Sequence, residues 1–476
     1  MQVDQAVILA PQQAQQELDS TSPGWNSREE ILGLTVLKRL ILTASQSGVK
    51  DFILIGNQGE EWLEIVASLR SDERLKDRSV ELEAILLSGV GNIDWGKRLR
   101  RRFWLIEGDL VMDPEVLTRA AQADPGGNTN LHLIEAHPEA EAEGDGILRC
   151  RMDEARRKIL AFGGLPAESP AVYSGISLCS DEVFPRLALM FRERGMIRLN
   201  SEIMNEIFLP SRPEAFDIGR LFCFRIASRA DSKKAERYLL NTARKPTDGF
   251  FSRHFNRPIS LFLTRQLIKL NMTPIQLSVS SFLVGLMSVW FIGKGGHSNS
   301  VLGALLFEFA SIFDGCDGEN ARLTFRATKT GALLDIICDA VIFVLFFLSL
   351  PIGLFNATRD RIWLFLGMIA FLSMSMFYYL LVDYAKKAGI GSNIVAVVKE
   401  IENSAARPGL AGLIDRIASR IAFIYRRDFF ATAASLFILL GGAWVFIWIL
   451  TFLLPLQAIY MSFYSRRRLR QIPASA

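Results

Sequence analysis

Histidine and cysteine are scarce in this 476-residue sequence, at four and five residues. His132, His137, His254 and His297 are scattered, which excludes a histidine-built metal centre and a histidine-dependent triad. Cys150, Cys179, Cys223, Cys316 and Cys338 show none of the paired spacings of a thiolate metal site and read as reduced cytoplasmic thiols. Charge of one sign is also lacking. The formal net charge is only +4, and no nucleic-acid-binding motif accompanies it, so nucleic acid is not an expected partner. The first ten residues hold no sustained apolar core, so a secretory signal is not expected and the N-terminus is expected to stay in the cytoplasm.

Apolar residues are plentiful but unevenly placed. Mean hydropathy is +0.22, and 33 residues are phenylalanine. Long lipid-compatible runs begin only in the second half: 275–292, 301–312, 332–355, 363–382, 429–440 and 443–464. Several reach the roughly 20 residues that span a bilayer, and Gly441-Gly442 divides the last two, which gives an expectation of six spans. Basic residues cluster after alternate runs, at Arg322, Arg326 and Lys329, then at Lys386, Lys387, Lys399, Arg426 and Arg427, and finally at Arg466–Arg470. The opposite loops contain only Lys294, Arg359 and Arg361, so both termini are expected on the cytoplasmic side of an inner or plasma membrane.

Against this apolar background one stretch is acidic. Asp314-Gly-Cys-Asp317-Gly318-Glu-Asn-Ala321-Arg322 is followed, after eight residues, by Gly331-Ala-Leu-Leu-Asp335-Ile-Ile-Cys-Asp339. An aspartate at the centre of a membrane helix costs about 2.5–3.5 kcal/mol, so such a residue implies a functional partner. Spacings of three and four place Asp314 with Asp317 on one helix face and Asp335 with Asp339 on another. The short polar link between them makes the two helices antiparallel neighbours, and oxygen-only ligands select Mg²⁺, Mn²⁺ or Ca²⁺ over zinc. A buried salt-bridged cluster is the alternative, but Arg322 alone does not balance four acids. Spacing does not say which acid would serve as a general base. Glu308 reads either as a support for this cluster or as the partner of a polar group on another helix.

The string Asp-x2-Asp-Gly-x2-Ala-Arg-x8-Gly-x3-Asp-x3-Asp resembles the signature of the CDP-alcohol phosphotransferases at every fixed position. The resemblance implies a six-helix membrane enzyme, a homodimer, with two divalent cations per site, Mg²⁺ or Mn²⁺. It would transfer a substituted phosphoryl group from a CDP-linked donor to an acceptor hydroxyl and release CMP. Carried over, Asp314, Asp317 and Asp335 would be metal ligands, and Asp339 would contact the second metal and act as base. Asp314, Gly318, Ala321, Arg322 and Gly331 would line the CDP pocket. Arg326, Lys329, Arg426 and Arg427 either hold an acceptor phosphate or only set the topology.

The first half alternates short apolar runs with amphipathic segments, including a helix expected near 28–47 and another near 60–71. This pattern predicts a Rossmann-like α/β domain with a mostly parallel sheet. Ala6-Val-Ile-Leu-Ala10, Leu34-Thr-Val-Leu-Lys-Arg39, the segment 47–55 and Glu107-Gly108-Asp109 resemble the sugar-phosphate nucleotidyltransferases. That family's metal-binding acids would fall on Asp109 and Asp231, though Asp109 equally suits a turn cap. Where the family has a Gly-rich phosphate loop with an arginine, this chain reads Pro11-Gln-Gln-Ala-Gln-Gln-Glu17, and proline has no N–H to offer a phosphate. Nucleotidyl transfer is therefore expected to be lost. The segment 245–270 mixes aromatics with Arg253, Arg257, Arg265 and Lys269, as an interfacial helix facing anionic headgroups would.

Together the two halves resemble bifunctional enzymes that make CDP-inositol and join it to inositol phosphate. The expected partition is an α/β domain at 1–243, a juxtamembrane linker at 244–272, a six-span domain at 273–465 and a basic tail at 466–476. The donor is left open between CDP-diacylglycerol and a CDP-alcohol such as CDP-inositol, and the acceptor between an alcohol and an inositol phosphate. A rival reading is a non-catalytic membrane scaffold with a nucleotide-binding cytoplasmic domain.

Overall fold

The computed structural model describes residues 3–10, 30–56, 60–124, 129–136, 148–155, 157–164, 170–195, 197–244, 252–388 and 427–469. They form two compact units, Met1–Asn241 and Thr242–Ala476.

The first unit is α/β. Its strands are β1 (Gln5–Leu9), β2 (Asp51–Gly56), β3 (Glu81–Leu86), β4 (Arg102–Glu107), β5 (Leu110–Met112), β6 (Leu131–Glu135), β7 (Arg149–Met152), β8 (Ile159–Phe162), β9 (Ala171–Ser180), β10 (Glu214–Asp217) and β11 (Cys223–Arg225). Nine of them make one sheet whose main path runs β8-β7-β9-β4-β1-β2-β3, with β6 beside β9 and β10 beside β6. Pairing is parallel from β4 through β3 but antiparallel where β9 meets β4, β6 and β7. The sheet is thus mixed, where the sequence predicts a mostly parallel one. The reason is β9, a ten-residue strand buried along nearly its whole length that runs antiparallel to each of its neighbours.

The first expected helix begins late. Leu32 and Gly33 have φ of 49° and 69° and turn the chain back, and buried Arg39 fixes the turn by donating from Nη2 to the Ile31 carbonyl at 2.7 Å. The helix then runs Val36–Gln46 from a Thr35 cap. Beneath the sheet, Phe184 packs edge-on against Trp95 and Phe103 at 4.6 and 5.6 Å between ring centroids.

Among the buried polar groups of this unit, two clusters bear on its ionisation. His132 is fully buried, with Nδ1 2.6 Å from Ser177 Oγ, which in turn lies 2.7 Å from Tyr173 Oη. Burial pushes the imidazole down to about 3, so it is neutral in the fold. The second group surrounds the turn after β4. Glu107 and Asp109 have side chains only 5% and 8% exposed, and β11 pairs with β5 to bring Arg225 beside both. Arg225 bonds Glu107 directly and reaches Asp109 at 3.7 Å. Burial opposes its charge, but the two carboxylates outweigh that and hold the guanidinium above its ordinary value. Gly175 makes room for the pair. Its φ is +86°, and a Cβ there would stand 2.9 Å from Glu107 Oε2.

The second unit is helical. After a π-helical turn at Ser252–Asn256 come α1 (Arg257–Lys269), α2 (Pro274–Lys294), α3 (His297–Leu323), α4 (Lys329–Thr358), α5 (Ile362–Lys387), α6 (Arg427–Leu439) and α7 (Ala443–Leu469). Helix α2 starts from a reciprocal capping box between Thr273 and Gln276. It packs along both α3 and α4, and α3 and α4 also meet directly where Phe307 stacks on Phe346 at 4.5 Å between ring centroids. The two helices expected as neighbours are thus joined by a short turn and touch through side chains, with α2 packed on both. Close approach explains the choice of residues: a Cβ on Gly353 of α4 would stand 2.0 Å from the Ile292 carbonyl oxygen of α2. Phe346 and Phe347 of α4, Phe430 of α6 and Phe446 of α7 form the centre of the bundle.

All six apolar runs are helical, yet among the described residues only α2, α4, α5 and α7 are long and apolar enough by composition to cross a membrane. Acidic residues interrupt the apolar run of α3, and 13 residues of α6 are described. The count of six spans thus does not follow from hydropathy.

Two outcomes are expected in the first unit. For His132, the unfolded imidazole takes up its proton near 6.5 while the folded one refuses it down to about 3. The unfolded state then binds more protons across that window, so stability falls as pH drops, by at most about 1.4 kcal/mol per unit. Pulse proteolysis of the full chain in urea should show the first unit about 2 kcal/mol weaker at pH 5 than at pH 7.5. An unchanged loss in His132→Gln would assign it elsewhere. For Arg225, the substitution Arg225→Met strands two buried carboxylates and should cost about 3–5 kcal/mol. Adding Glu107→Gln should recover part of that.

Candidate active site

The acidic motif occupies the last turns of α3 and the first turns of α4. Between them, Thr324 hydroxyl closes α3 by donating to Asn320 O at 2.8 Å, Phe325 adopts φ 58°, and Thr328 caps α4 by accepting from the Gly331 amide at 3.0 Å. This tight turn brings Asp314, Asp317 and Asp335 together. One carboxylate oxygen from each lies within 4.8 Å of the others, and among the described residues this is the one group of three or more acids, histidines or cysteines so arranged. Asp317 is buried, and Asp314 and Asp335 are half-buried. Asp339 follows one turn after Asp335 on α4, half-buried and outside that set.

The donor set decides what fits there. Three carboxylates converge with no nitrogen or sulfur ligand, so a hard divalent cation suits the site by both charge and ligand type. Ser278 of α2 donates to Asp317 Oδ2 and fixes that carboxylate's orientation. On Gly318 a Cβ would lie 3.3 Å from Arg322 Nη1, and on Gly331 a Cβ would lie 3.0 Å from Thr328 Oγ1. Gly331 thus also serves the cap. Arg322 donates from Nη2 to the Ala243 carbonyl at 2.7 Å, and half-buried Ala321 precedes it. Arg326 is half-buried in the turn and Lys329 is exposed at the start of α4. Arg426, like Lys399, lies outside the described residues, as does the side chain of Arg427.

Several supporting residues escaped the reading of the sequence. Glu319, inside the motif, is fully buried and takes hydrogen bonds from Arg257 Nη1 at 2.7 Å, Ser260 Oγ at 2.6 Å and Thr264 Oγ1 at 2.7 Å. Arg257 therefore faces the protein and not lipid headgroups, because a buried carboxylate claims it. Asn320 Nδ2 donates to the Met272 carbonyl at 3.0 Å. A signal existed: Arg257, Ser260 and Thr264 recur at helical spacing on one face, while Ile259 and Phe262 are 48% and 62% exposed on the other. Glu308 accepts from Thr432 Oγ1 of α6 at 3.0 Å, so it partners another helix.

In the first unit Asp109 faces Arg225, as described. Asp231 is engaged locally, its Oδ2 accepting from the Ser228 amide and hydroxyl, each at 2.8 Å. No group of three acids forms around either among the described residues. The segment 11–17 lies outside them.

Comparison with known proteins accords with this geometry. Residues 271–453 match the model of the CDP-alcohol phosphatidyltransferase family. A protein of Aquifex aeolicus named bifunctional IPC transferase and DIPP synthase is 25% identical over 409 residues, covering 84% of this chain and 88% of that one. A Thermococcus kodakarensis protein of the same name is 26% identical over 362 residues, covering 73% and 76%. Among solved structures, an inositol-1-phosphate CTP transferase from T. maritima aligns with 50% of this chain and 95% of its own, at 16% identity and a TM-score of 0.38. The two sequence relatives carry names for two activities, and this counts against the expectation that the first activity has been lost. The second half of the chain carries a CDP-alcohol phosphatidyltransferase domain, and the protein is an enzyme of that transferase class.

Proposed function

We propose that the second unit is a six-span, divalent-metal-dependent phosphotransferase that condenses a CDP-linked alcohol with an acceptor hydroxyl and releases CMP. The observation that carries this reading is the convergence of Asp314, Asp317 and Asp335 within 4.8 Å at the turn between α3 and α4. These three would hold the cations, Mg²⁺ or Mn²⁺ and two per site, which when bound neutralise charge on the pyrophosphate and on departing CMP. Arg322 and the bare backbone at Gly318, Ala321 and Gly331 would receive the cytidine diphosphate. Asp339, beside but outside the triad, would accept the acceptor's hydroxyl proton. The acceptor oxygen then bonds the phosphorus that carries the donor's alcohol, and the bond from that phosphorus to CMP breaks. Arg326, Lys329, Arg426 and Arg427 would attract an acceptor phosphate.

The proposed donor is CDP-inositol rather than CDP-diacylglycerol, because the relatives that align across both units are named IPC transferase and DIPP synthase. The same names support a first unit that supplies this donor from CTP and an inositol phosphate. The assembly would be a homodimer in the membrane with its site on the cytoplasmic face.

Two assays test this reading on the purified full chain. CMP release from CDP-inositol with an inositol phosphate acceptor should require a divalent cation and fall about 10³-fold in Asp317→Asn, near 4 kcal/mol of barrier. Release from CDP-diacylglycerol alone would overturn the donor assignment. Pyrophosphate release from CTP and inositol phosphate should accompany it. A chain that consumes added CDP-inositol yet releases no pyrophosphate from CTP would remove the first-unit role and leave the second intact.

A further inference from the structure

We propose that Glu319 is a positioning residue for the divalent-cation site, acting through the orientation of α3; the inference rests on the metal-site reading above. Glu319 is not one of the three converging acids. It lies two residues after Asp317, about 200° around the helix, and so on the side of α3 turned away from Asp317. Its carboxylate is fully out of water, and a charge there is tolerated only with a complete set of partners. All the partners come from α1: Oε1 accepts from Arg257 and Ser260, and Oε2 accepts from Thr264.

The neighbouring contacts complete the clamp. On the front of α3, Ser278 of α2 holds Asp317. Asn320 ties to the Met272 carbonyl in the α1–α2 turn, which sets the depth of α3 along its own axis. Cys316 Sγ sits 3.4 Å from the Ser260 carbonyl, and a Cβ on Gly315 would already be 3.4 Å from Arg257 Nη1, so the rear face admits α1 closely. Rotation of α3 is thereby fixed from two sides, and rotation decides whether Asp314 and Asp317 meet Asp335. A contact that merely glued α1 to the bundle would not need a charge at the motif's own helical turn.

The test reads Mn²⁺ binding directly, by electron paramagnetic resonance of the purified full chain without substrate. Glu319→Gln should weaken Mn²⁺ binding by about 10-fold or more, as loss of an outer partner of a metal site does. Thr264→Val and Arg257→Lys, which keep the buried carboxylate, should shift it less and in the same direction, and they carry the test where Glu319→Gln does not fold. Folded variants that bind Mn²⁺ as the parent does would overturn the role of Glu319 while leaving the metal site standing. A parent chain that binds no Mn²⁺ would overturn the metal-site reading itself.

Discussion

A carboxylate withdrawn from water demands compensation, and the protein meets that demand in three ways. Glu107 and Asp109 share a guanidinium inside an α/β unit. Glu319 is surrounded by one guanidinium and two hydroxyls at the base of a helical bundle. Asp314, Asp317 and Asp335 converge within 4.8 Å of one another, a donor set that suits a hard divalent cation. The first two arrangements are closed electrostatic units. The third is more open to solvent, with Asp314 and Asp335 only half-buried.

The bundle is organised to hold that open group in register. Helix α2 packs on both α3 and α4 and reaches Asp317 through Ser278. Helix α1 is turned inside out relative to a soluble amphipathic helix: its hydroxyls and Arg257 face the protein, while Ile259 and Phe262 face outward. Such a helix suits a site whose surroundings are lipid on one side and a polar anchor on the other. The aromatic centre formed by Phe346, Phe347, Phe430 and Phe446 then supplies packing away from the chemistry.

Much of the site was legible because chemistry fixes spacing. Asp314, Asp317 and Asp335 could be read from three- and four-residue intervals, since a helix turns those intervals into a shared face. What spacing could not supply was the identity of neighbours from elsewhere in the chain. Ser278 read as an ordinary residue of an apolar span, and Arg257 as a headgroup contact, because hydropathy reports surroundings and not partners. The same limit applies to the sheet, where the direction of β9 depends on connections rather than on its side chains. The first helix began at Val36 and not earlier because Leu32 adopts a positive φ that nothing in its side chain announces.

The turn Thr324–Thr328 has a further meaning. It sets the phase between two helices, and Thr328, whose hydroxyl accepts from the Gly331 amide, fixes where α4 begins. Each helical residue advances the face by 100°, so one residue gained or lost between Thr328 and Asp335 would swing that carboxylate away from the other two. Length changes before the cap would move the start of α4 relative to α3 and so displace Asp335 from Asp314 and Asp317 as well. The spacing is therefore constrained on both sides of one threonine: the turn before it sets where α4 starts, and the interval after it sets which way Asp335 faces.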